Sequence, residues 1–380
     1  MTTTKHLLIL MFTAFLTPCT AQGYTNQTLQ YDGLTRQYSI YVPASYDGTV
    51  EFPLLFNFHG GNDVIASWQT SSDMRSLADD ENFIVVYPQA RPDLSDGNSF
   101  NWLPKSAGTF DDVPFISALI DAIAGDYQIN QSRIYACGYS LGGEFAYELS
   151  CKLNNRIAAI AAVARTMQAN PNSYCAPVHP TGVLTILGTN DSTSPYNGLT
   201  YAGIEYYLSA AATHNYWATY NNCETTASMS TVSSSVERYT WSTEAGCAYV
   251  EELKVIGGGH DWPGSFGNMT INANEEIWQF VSRYDINGLI ECSTSSIIKK
   301  NNIAGNFSVY PNPVKDIIHI NVESEFIGTY YAITSVSGQI VSEGKIDKED
   351  SVINIQDLSE GIYFMQLGEN IHQSFKIIKQ

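Results

Sequence analysis

The chain has 380 residues, a length that suits two domains better than one, and its apolar content of 44% allows a sizeable packed core. The formal net charge of -19 excludes nucleic acid as a partner, because no basic stretch offsets the repulsion from phosphate groups. The charge is compatible with a neutral substrate but does not select one.

The N-terminus predicts a secretory signal peptide over residues 1–21. A lysine and a histidine precede an apolar run over residues 7–16, which is too short to span a bilayer. Small residues follow, and Ala21 is a suitable last residue before cleavage. A lipoprotein signal with Cys19 as the lipidated residue is the alternative, although Pro18 fits it poorly. No later segment has the length of a transmembrane helix.

The first elements predicted after this segment are strands. Residues 28–42 alternate around a turn at Asp32-Gly33, which predicts an antiparallel hairpin. Short apolar runs bounded by turn residues then predict buried strands at Leu54–Phe58, Phe83–Tyr87, Ile134–Gly138, Val183–Leu187 and Leu253–Ile256. Helical segments separate these runs. Such alternation is typical of a mostly parallel sheet with helices on both faces.

The clearest helical pattern lies between the second and third of these runs. Apolar residues recur at helical spacing from Val113 to Ala124. We expect Asp112 to cap the start of this helix and Gly125 to end it, and Pro114 suits the first turn.

A polar stretch rich in Ser, Asn and Lys divides the chain near residue 292. It predicts a linker over residues 292–306, between a first domain over residues 22–291 and a second over residues 307–380. Short alternating runs in the second domain predict a small all-β sandwich, with strands at Ile317–Val322, Tyr330–Ser335, Gln339–Glu343, Gly361–Leu367 and Gln373–Lys379.

A G-x-S-x-G sequence runs from Gly138 to Gly142, with Ser140 at its centre. The five letters alone are a weak signal, but a predicted strand precedes them and a helix can begin at Gly143. A strand, a sharp turn and a helix would project the hydroxyl above the carboxyl edge of the sheet, near a helix N-terminus that favours negative charge. Ser140 is therefore the candidate nucleophile, and an ordinary β–α turn is the alternative.

A serine nucleophile needs a base, and the base needs a carboxylate that fixes its tautomer. His260 follows the last predicted strand of the sheet in a glycine-rich loop and is the candidate base. Asp191 follows the strand before it, at the same sheet edge, and is the candidate acid. Asp261 and Glu205 are weaker candidates for that role. The order Ser140, Asp191, His260 is the one that α/β-hydrolases use.

The tetrahedral intermediate of acyl transfer needs two hydrogen-bond donors for its oxyanion. The Leu141 N–H, directly after the nucleophile, is one candidate. The Gly61 N–H is the other, because the loop that follows an early strand reaches the same edge of the sheet. Gly60 and Asn62 are alternatives to Gly61. We expect His59 to brace this loop rather than to transfer protons.

Several aromatic residues are candidates for a substrate-binding cleft: Trp68, Trp102, Tyr139, Tyr196 and Trp262. Packing in the core is the alternative, for Trp68 and Trp102 in particular. The short separation between Ser140 and Asp191 leaves no room for a large lid between them. This favours a shallow, open site suited to a polymer or to a side-chain ester.

Seven cysteines are present, of which Cys19 would leave with the signal peptide. In an exported chain, spacing favours disulfides Cys151–Cys175 and Cys223–Cys247, and other pairings stay open. Cys137 lies in a predicted buried strand and is expected to be a free thiol, and the pairing of Cys292 stays open. No C-x-x-C or His/Cys cluster indicates a metal site.

The motifs of the first domain occur together, in order, in one family. They are His59-Gly60-Gly61, Asp111–Ile116, Gly138–Gly143, Gly188–Asp191 and Gly257–Gly264. Residues 28–285 resemble the polyhydroxybutyrate depolymerase and feruloyl esterase family. The resemblance implies an α/β-hydrolase that cleaves carboxylic esters outside the cell, without metal or organic cofactor. One departure is Ser192-Thr193-Ser194, where family members often have more apolar residues.

The second domain has its own likeness. Tyr310–Pro313, Ser337–Ile340 and Leu358–Tyr363 resemble a C-terminal type A sorting domain of the type IX secretion system. The resemblance implies the type IX machinery as a partner, an extracellular or cell-surface location, and usually removal of the domain. A small carbohydrate-binding or spacer sandwich is the alternative, although no row of aromatic residues suggests sugar stacking.

The sequence thus predicts a secreted serine carboxylesterase acting by a Ser-His-Asp acyl-enzyme mechanism. Plant cell-wall esters, such as feruloyl or acetyl groups on xylan, are the favoured substrates, and a polyhydroxyalkanoate is the alternative. A serine peptidase of the same fold and a catalytically silent glycan-binding module are the rival classes. The expected partners are an ester-bearing polysaccharide or polyester and the secretion machinery, with no nucleic acid and no membrane span.

Overall fold

A computed structural model describes residues 23–102, 110–293, 308–322, 324, 327–335, 340–367 and 373–380. The signal peptide predicted over residues 1–21 and most of the predicted linker lie outside the described residues. The chain divides into two compact units, between Ser296 and Ile297. Within the ranges given above, no helix has both the length and the apolar character needed to cross a bilayer.

The first unit alternates strands and helices. Its strands are β1 Thr25–Tyr31, β2 Leu34–Tyr41, β3 Phe52–Phe58, β4 Ile84–Pro88, β5 Arg91–Asp93, β6 Ser99–Asn101, β7 Ile129–Tyr139, β8 Ala159–Val163, β9 Gly182–Gly188, β10 Leu199–Tyr201, β11 Ile204–Tyr207, β12 Ser228–Ser233, β13 Val236–Ser242, β14 Ala248–Val255, β15 Tyr284–Asp285 and β16 Gly288–Leu289. Its helices are α1 Ile65–Ser71, α2 Arg75–Glu81, α3 Val113–Asp126, α4 Leu141–Lys152, α5 Ala210–Tyr220, α6 Ala273–Val281 and α7 Ile290–Ser293. Two short 3-10 helices lie at Leu94–Asp96 and Pro171–Ser173.

Among the described residues, a ten-stranded sheet has the order β1-β2-β4-β3-β7-β8-β9-β14-β13-β12. The strands from β4 to β14 run parallel to one another. Antiparallel strands flank them, β1 and β2 on one side and β13 and β12 on the other. The predicted α/β-hydrolase fold, with a mostly parallel sheet, is confirmed by this topology.

Helices cover both faces of the sheet. Leu54 and Phe56 of β3 pack on the side of α3, α4 and α5. Leu55, between them, packs on the side of α1, α2 and α6. Since successive side chains of a strand point to opposite faces, a strand buried on both faces is apolar throughout. All of β3 is buried in this way, which explains why its sequence is recognisable as a strand.

The hairpin and the helix predicted from local patterns in the N-terminal half differ in how well the structure matches them. The β1–β2 hairpin turns at Asp32 and Gly33, with φ of 49° and 70°, as predicted. The helix α3 continues through Gly125 to Asp126, so Gly125 does not end it. Asp112 occupies the N-cap position as predicted, but its side chain makes no cap hydrogen bond, because its carboxylate forms a buried ion pair with Arg36 at 2.7 Å.

The described residues of the second unit form two antiparallel sheets. Their strands are β17 Ser308–Tyr310, β18 Ile317–Asn321, β19 Tyr330–Ser335, β20 Ile340–Lys345, β21 Asp350–Asn354, β22 Gly361–Leu367 and β23 Gln373–Lys379. One sheet has the order β17-β18-β21 and the other β20-β19-β22-β23. Ile318 and Ile353 of the first sheet share a core with Ile333, Met365 and Ile377 of the second. The predicted small all-β domain is therefore present.

One of the two predicted disulfides is wrong. Cys151–Cys175 is formed, with Cα atoms 4.4 Å apart. Cys247 bonds to Cys292 and not to Cys223, and neither Cys223 nor the buried Cys137 has a disulfide partner among the described residues. The spacing of cysteines in the sequence gives only the length of the loop that a disulfide would close. The pairing depends on which segments meet in space. Here α7 brings Cys292 to the start of β14, so Cys292 belongs to the first unit rather than to the predicted linker.

Candidate active site

Ser140 lies at the turn between β7 and α4, at the carboxyl edge of the sheet. Its φ of 52° and ψ of -117° lie in a region that residues with a side chain rarely adopt. The Ser140 N–H donates to the carbonyl of Val163 at 2.9 Å, which ties the turn to β8. Its own carbonyl accepts the N–H of Glu144 at 3.0 Å and so begins α4. The surrounding structure thus holds the hydroxyl above the sheet edge.

Close packing explains the glycines on either side of the serine. A Cβ at Gly142 would lie 2.3 Å from the carbonyl oxygen of Phe58. A Cβ at Gly138 would lie 2.4 Å from the carbonyl carbon of Gly142. Both obstacles are backbone atoms, which cannot move aside cheaply. Only glycine therefore allows β7, α4 and the end of β3 to approach this closely.

The three predicted catalytic side chains meet at this edge. His260 Nε2 lies 2.9 Å from Ser140 Oγ, and His260 Nδ1 lies 2.7 Å from Asp191 Oδ2. With Nδ1–H donating to the carboxylate, Nε2 is free to accept the serine proton. The His260 side chain is 20% exposed and the Asp191 side chain only 1%. A substrate can therefore reach the imidazole while its partner carboxylate is shielded from water.

The acid is held by the loop that follows it. Asp191 Oδ1 accepts the N–H groups of Thr193 and Ser194, both at 2.8 Å, which leaves Oδ2 for His260. The loop that carries Asp191 (the acid loop) also contacts the loop that carries His260 (the histidine loop), since the Asn190 N–H donates to the carbonyl of Gly258 at 2.8 Å. The run Ser192-Thr193-Ser194, which departs from the family pattern, thus supplies the amides that orient the carboxylate.

A buried ion pair, which sequence reasoning missed, joins the acid loop to the nucleophile turn. Arg165 Nε donates to Glu144 Oε2 at 2.7 Å, and Arg165 Nη1 donates to Ser194 Oγ at 2.9 Å. The Arg165 guanidinium also bonds to the hydroxyl of Tyr207. Both members of the pair are almost fully buried. A glutamate in the first turn after the nucleophile, with an arginine soon after the next strand, was the signal available in the sequence.

The loop after β3 lies against the nucleophile turn. A Cβ at Gly61 would lie 2.6 Å from Leu141 Cδ1. The Asn62 N–H donates to the carbonyl of Phe100 at 2.7 Å and is therefore not available to an oxyanion. Within the described residues, the amides of Gly61 and Leu141 have no hydrogen-bond acceptor. Gly61 thus stays the candidate second donor, with Gly60 as the alternative.

His59 braces this loop and is not placed for proton transfer. Its Nε2 accepts the N–H of Ala90 at 3.1 Å, so its Nδ1 donates to the carbonyl of Gly60, 2.6 Å away. The indole N–H of Trp102 donates to the His59 carbonyl at 2.9 Å. Burial lowers the pKa of His59 to about 4, which keeps the ring neutral near pH 7.

The predicted role of three tryptophans in substrate binding is wrong. The side chains of Trp68, Trp102 and Trp262 are 2%, 0% and 1% exposed, so a substrate cannot reach them. Trp68 and Trp262 pack edge to face, with ring centroids 4.8 Å apart. Trp102 packs behind the loop of His59. Large aromatic surfaces are more stable in the core, and here they fix the loops that carry the site.

The two tyrosines named with them have structural contacts as well. Tyr139 is half-buried and stacks on Trp68 with centroids 5.5 Å apart. Its hydroxyl donates to the His260 carbonyl at 2.8 Å, so it positions the histidine loop. The Tyr196 hydroxyl donates to Glu252 Oε1 at 2.6 Å. Of these aromatic residues, Tyr139 alone touches both the candidate base and the nucleophile turn within the described part of the chain.

Neither rival acid occupies the position of Asp191. Asp261 Oδ2 accepts the N–H groups of Gly259 and Asn268 at 3.1 and 3.2 Å, so it shapes the loop around His260. Glu205 lies exposed in the β10–β11 hairpin.

Comparison with known proteins gives relatives that match about two thirds of the chain. The chain is 29% identical over 275 residues to a bifunctional acetylxylan esterase/xylanase of Neocallimastix patriciarum, covering 70% of this chain and 36% of that protein. It is 26% identical over 258 residues to feruloyl esterase B of Piromyces equi, covering 66% of this chain and 46% of that protein. The chain thus spans well under two thirds of the length of these relatives.

Two solved structures are also similar. Acetyl xylan esterase from Aspergillus awamori is 13% identical, with a TM-score of 0.48, and the match covers 68% of this chain and 99% of that one. A ferulic acid esterase from Anaeromyces mucronatus, in complex with ferulic acid, is 16% identical, with a TM-score of 0.45, over 70% of this chain and 92% of that one. In the second unit, residues 308–380 match the secretion system C-terminal sorting domain family.

Proposed function

We propose that this protein is a serine carboxylesterase. The observation that carries the proposal is the continuous hydrogen-bonded arrangement Ser140 Oγ, His260 Nε2 and Nδ1, and Asp191 Oδ2, with contacts of 2.9 and 2.7 Å. It stands at a strained strand–turn–helix junction beside the Gly61 and Leu141 amides, which have no acceptor among the described residues, and this combination serves acyl transfer.

The mechanism has two halves. Ser140 Oγ attacks the ester carbonyl carbon while His260 Nε2 takes the hydroxyl proton, and the amides of Leu141 and Gly61 stabilise the oxyanion. Collapse breaks the ester bond, and His260 gives its proton to the departing alcohol. Water then attacks the acyl-enzyme, with His260 again as base, and the acid leaves as Ser140 regains its proton. Asp191 holds the imidazole tautomer in both halves.

The proposed substrates are acetyl or feruloyl esters carried on xylan. The names of the two relatives support this substrate class, since one is called an acetylxylan esterase/xylanase and the other a feruloyl esterase. Exposure of the His260 side chain supports an open site that a polymer can approach.

The second unit supports secretion. As a secretion system C-terminal sorting domain, it is proposed to engage the type IX machinery and to bring the esterase to the extracellular space or cell surface. We also propose that residues 1–21 act as a signal peptide for the first export step.

The test is ester hydrolysis by the full chain. The panel would be methyl ferulate, p-nitrophenyl acetate, acetylated xylan and a hydroxybutyrate oligomer. We expect turnover of acetylated xylan or methyl ferulate that Ser140→Ala abolishes and that Ser230→Ala, at an exposed position of the edge strand β12, retains. Equal rates for the Ser140→Ala variant and the unmodified protein would remove Ser140 as nucleophile. Preferred cleavage of the hydroxybutyrate oligomer would replace xylan by a polyester.

A further inference from the structure

A cavity of about 510 Å³ lies beside the candidate oxyanion loop. Strands β1, β2 and β6, the start of α1 and the segment after β4 form its walls. Five side-chain amides line it: Asn26, Gln27, Gln37, Gln69 and Gln89. Phe100 adds an apolar surface. Nothing in the catalytic mechanism uses this cavity.

The chemistry of its walls is neutral. Among the described lining residues, none carries a charge at neutral pH, although the chain as a whole has a net charge of -19. The Gln89 amide is engaged by Ile65, Asp63 and His59, and each of the other four amide side chains offers both donors and acceptors. The Gln69 Nε2 atom is buried and has no hydrogen-bond partner within the described part of the chain. Buried polar groups are normally paired, and since this nitrogen has no hydrogen bond to break there, a rotation of the Gln69 side chain can present it to a ligand acceptor in the cavity.

The cavity shares its wall with the catalytic edge. Gln89 Nε2 lies 3.0 Å from His59 Nε2, and Gln89 Oε1 accepts the N–H of Ile65 at 3.0 Å. The Phe100 carbonyl, on the other wall, accepts the Asn62 N–H at 2.7 Å. The candidate oxyanion donor Gly61 lies between His59 and Asn62 in the chain. A ligand in the cavity would therefore lie beside the loop that carries the candidate oxyanion donor.

We propose that this cavity binds the neutral saccharide chain that carries the ester, as a subsite beside the catalytic residues. Vicinal hydroxyls both donate and accept, and so they match the paired donor and acceptor of an amide. A polyester has only acceptors and offers no donor to the amide oxygens of the wall other than Gln89 Oε1, which already accepts from Ile65. The half-buried Phe100 suits the apolar face of a sugar ring. This inference rests on the proposed function for the identity of the saccharide. Binding of the saccharide to the cavity can be measured without ester turnover.

The first experiment measures binding of unesterified sugars to the full chain by calorimetry. Xylotetraose and cellotetraose are the neutral probes. The sugar that binds more tightly identifies the polysaccharide that the cavity recognises. Gln69→Ala and Gln37→Ala should each weaken the preferred sugar about fivefold, the loss expected for one hydrogen bond. Gln131→Ala is the matched control, since that glutamine lines a different cavity, formed by the other end of β7.

Gln69→Met tests whether hydrogen bonding or shape is responsible. It keeps the length of the side chain but removes the amide, so it should bind as weakly as Gln69→Ala. Equal affinity in the unmodified protein, Gln69→Ala and Gln37→Ala would overturn the proposal, as would absent binding of both neutral sugars. Tighter binding of tetragalacturonate, an acidic chain, would overturn it too.

The second experiment separates this proposal from the proposed function. Gln69→Ala should lower kcat/KM for an acetylated xylo-oligosaccharide about fivefold relative to that for p-nitrophenyl acetate, through KM. If no ester is turned over by the unmodified protein, the esterase proposal fails while sugar binding still tests the cavity. If esters are turned over and the ratio of the two kcat/KM values stays constant, the cavity proposal fails alone.

Discussion

Two histidines of the first unit stand between a hydroxyl and a carboxylate, in very different surroundings. His260 lies between Ser140 and Asp191 at the sheet edge. His214, in α5, has its Nε2 2.8 Å from Thr185 Oγ1 and its Nδ1 3.6 Å from Glu252 Oε2. Both sets contain a hydroxyl, an imidazole and an acid.

The difference lies in access and backbone geometry. The His214 side chain is 2% exposed, against 20% for His260. Thr185 lies within the regular strand β9, whereas Ser140 occupies a strained turn at φ 52°. The distance of 3.6 Å from His214 to Glu252 is too long for a good hydrogen bond. Residue types alone therefore do not make a catalytic site; an exposed turn, amide donors and a bonded acid do.

Replacing the two hydroxyls tests this contrast most strongly. Ser140→Ala should reduce kcat/KM for a small ester by about 10⁶-fold, because the nucleophile is lost. Thr185→Val should leave kcat/KM nearly unchanged but lower the free energy of unfolding by about 1–3 kcal/mol, since His214 loses a buried partner. Esterase kinetics and urea unfolding measure the two effects. A large loss of activity in Thr185→Val would break the comparison.

The two acids should differ in the same sense. Asp191→Asn removes the carboxylate that fixes the tautomer of His260, so kcat should fall about 10⁴-fold. Glu252→Gln keeps an acceptor for the Tyr196 hydroxyl and should retain kcat within about twofold, which lies inside the effect of one hydrogen bond. Steady-state kinetics on both variants decides the point. Similar losses in the two would assign Glu252 a role in catalysis.

The buried histidine should be visible in the pH dependence of stability. Burial lowers the pKa of His214 to about 3, from 6.5 for an unperturbed histidine. Between these values the unfolded chain binds more protons than the folded one, so the free energy of unfolding due to this group rises with pH and levels off above about 6.5. In urea unfolding at several pH values, the stability of the unmodified protein relative to His214→Gln should therefore increase from pH 3 to 6.5. A constant difference would contradict the buried, neutral state of His214.

The smallest expected effect concerns the two tyrosines. Tyr139→Phe removes the hydrogen bond to the His260 carbonyl and should lower kcat/KM by about 3–10-fold, the value of one such bond. Tyr196→Phe removes the bond to Glu252 and should not change kcat/KM. An unchanged rate in Tyr139→Phe would show that the histidine loop keeps its position without this contact.

Local patterns predicted the parts of the fold that depend on neighbouring residues. The strand β3 was recognisable because it is buried on both faces, and the turn at Ser140 because glycines must flank it. They also placed Asp112 at the start of α3, but they did not show that its side chain pairs with Arg36, which is distant in the chain, instead of capping the helix. The buried tryptophans were misassigned because sequence gives aromatic character but not exposure.

The sequence by itself determined the α/β architecture, the order of nucleophile, acid and base, and the likeness of the tail to a sorting domain, because each follows from local periodicity or a short motif. Tertiary structure decided the Cys247–Cys292 bond, the Arg165–Glu144 link behind the active site and the amide-lined cavity beside it. These features join segments that are far apart in the chain. Their contacts are set by how strands and helices pack, and no local pattern encodes that packing.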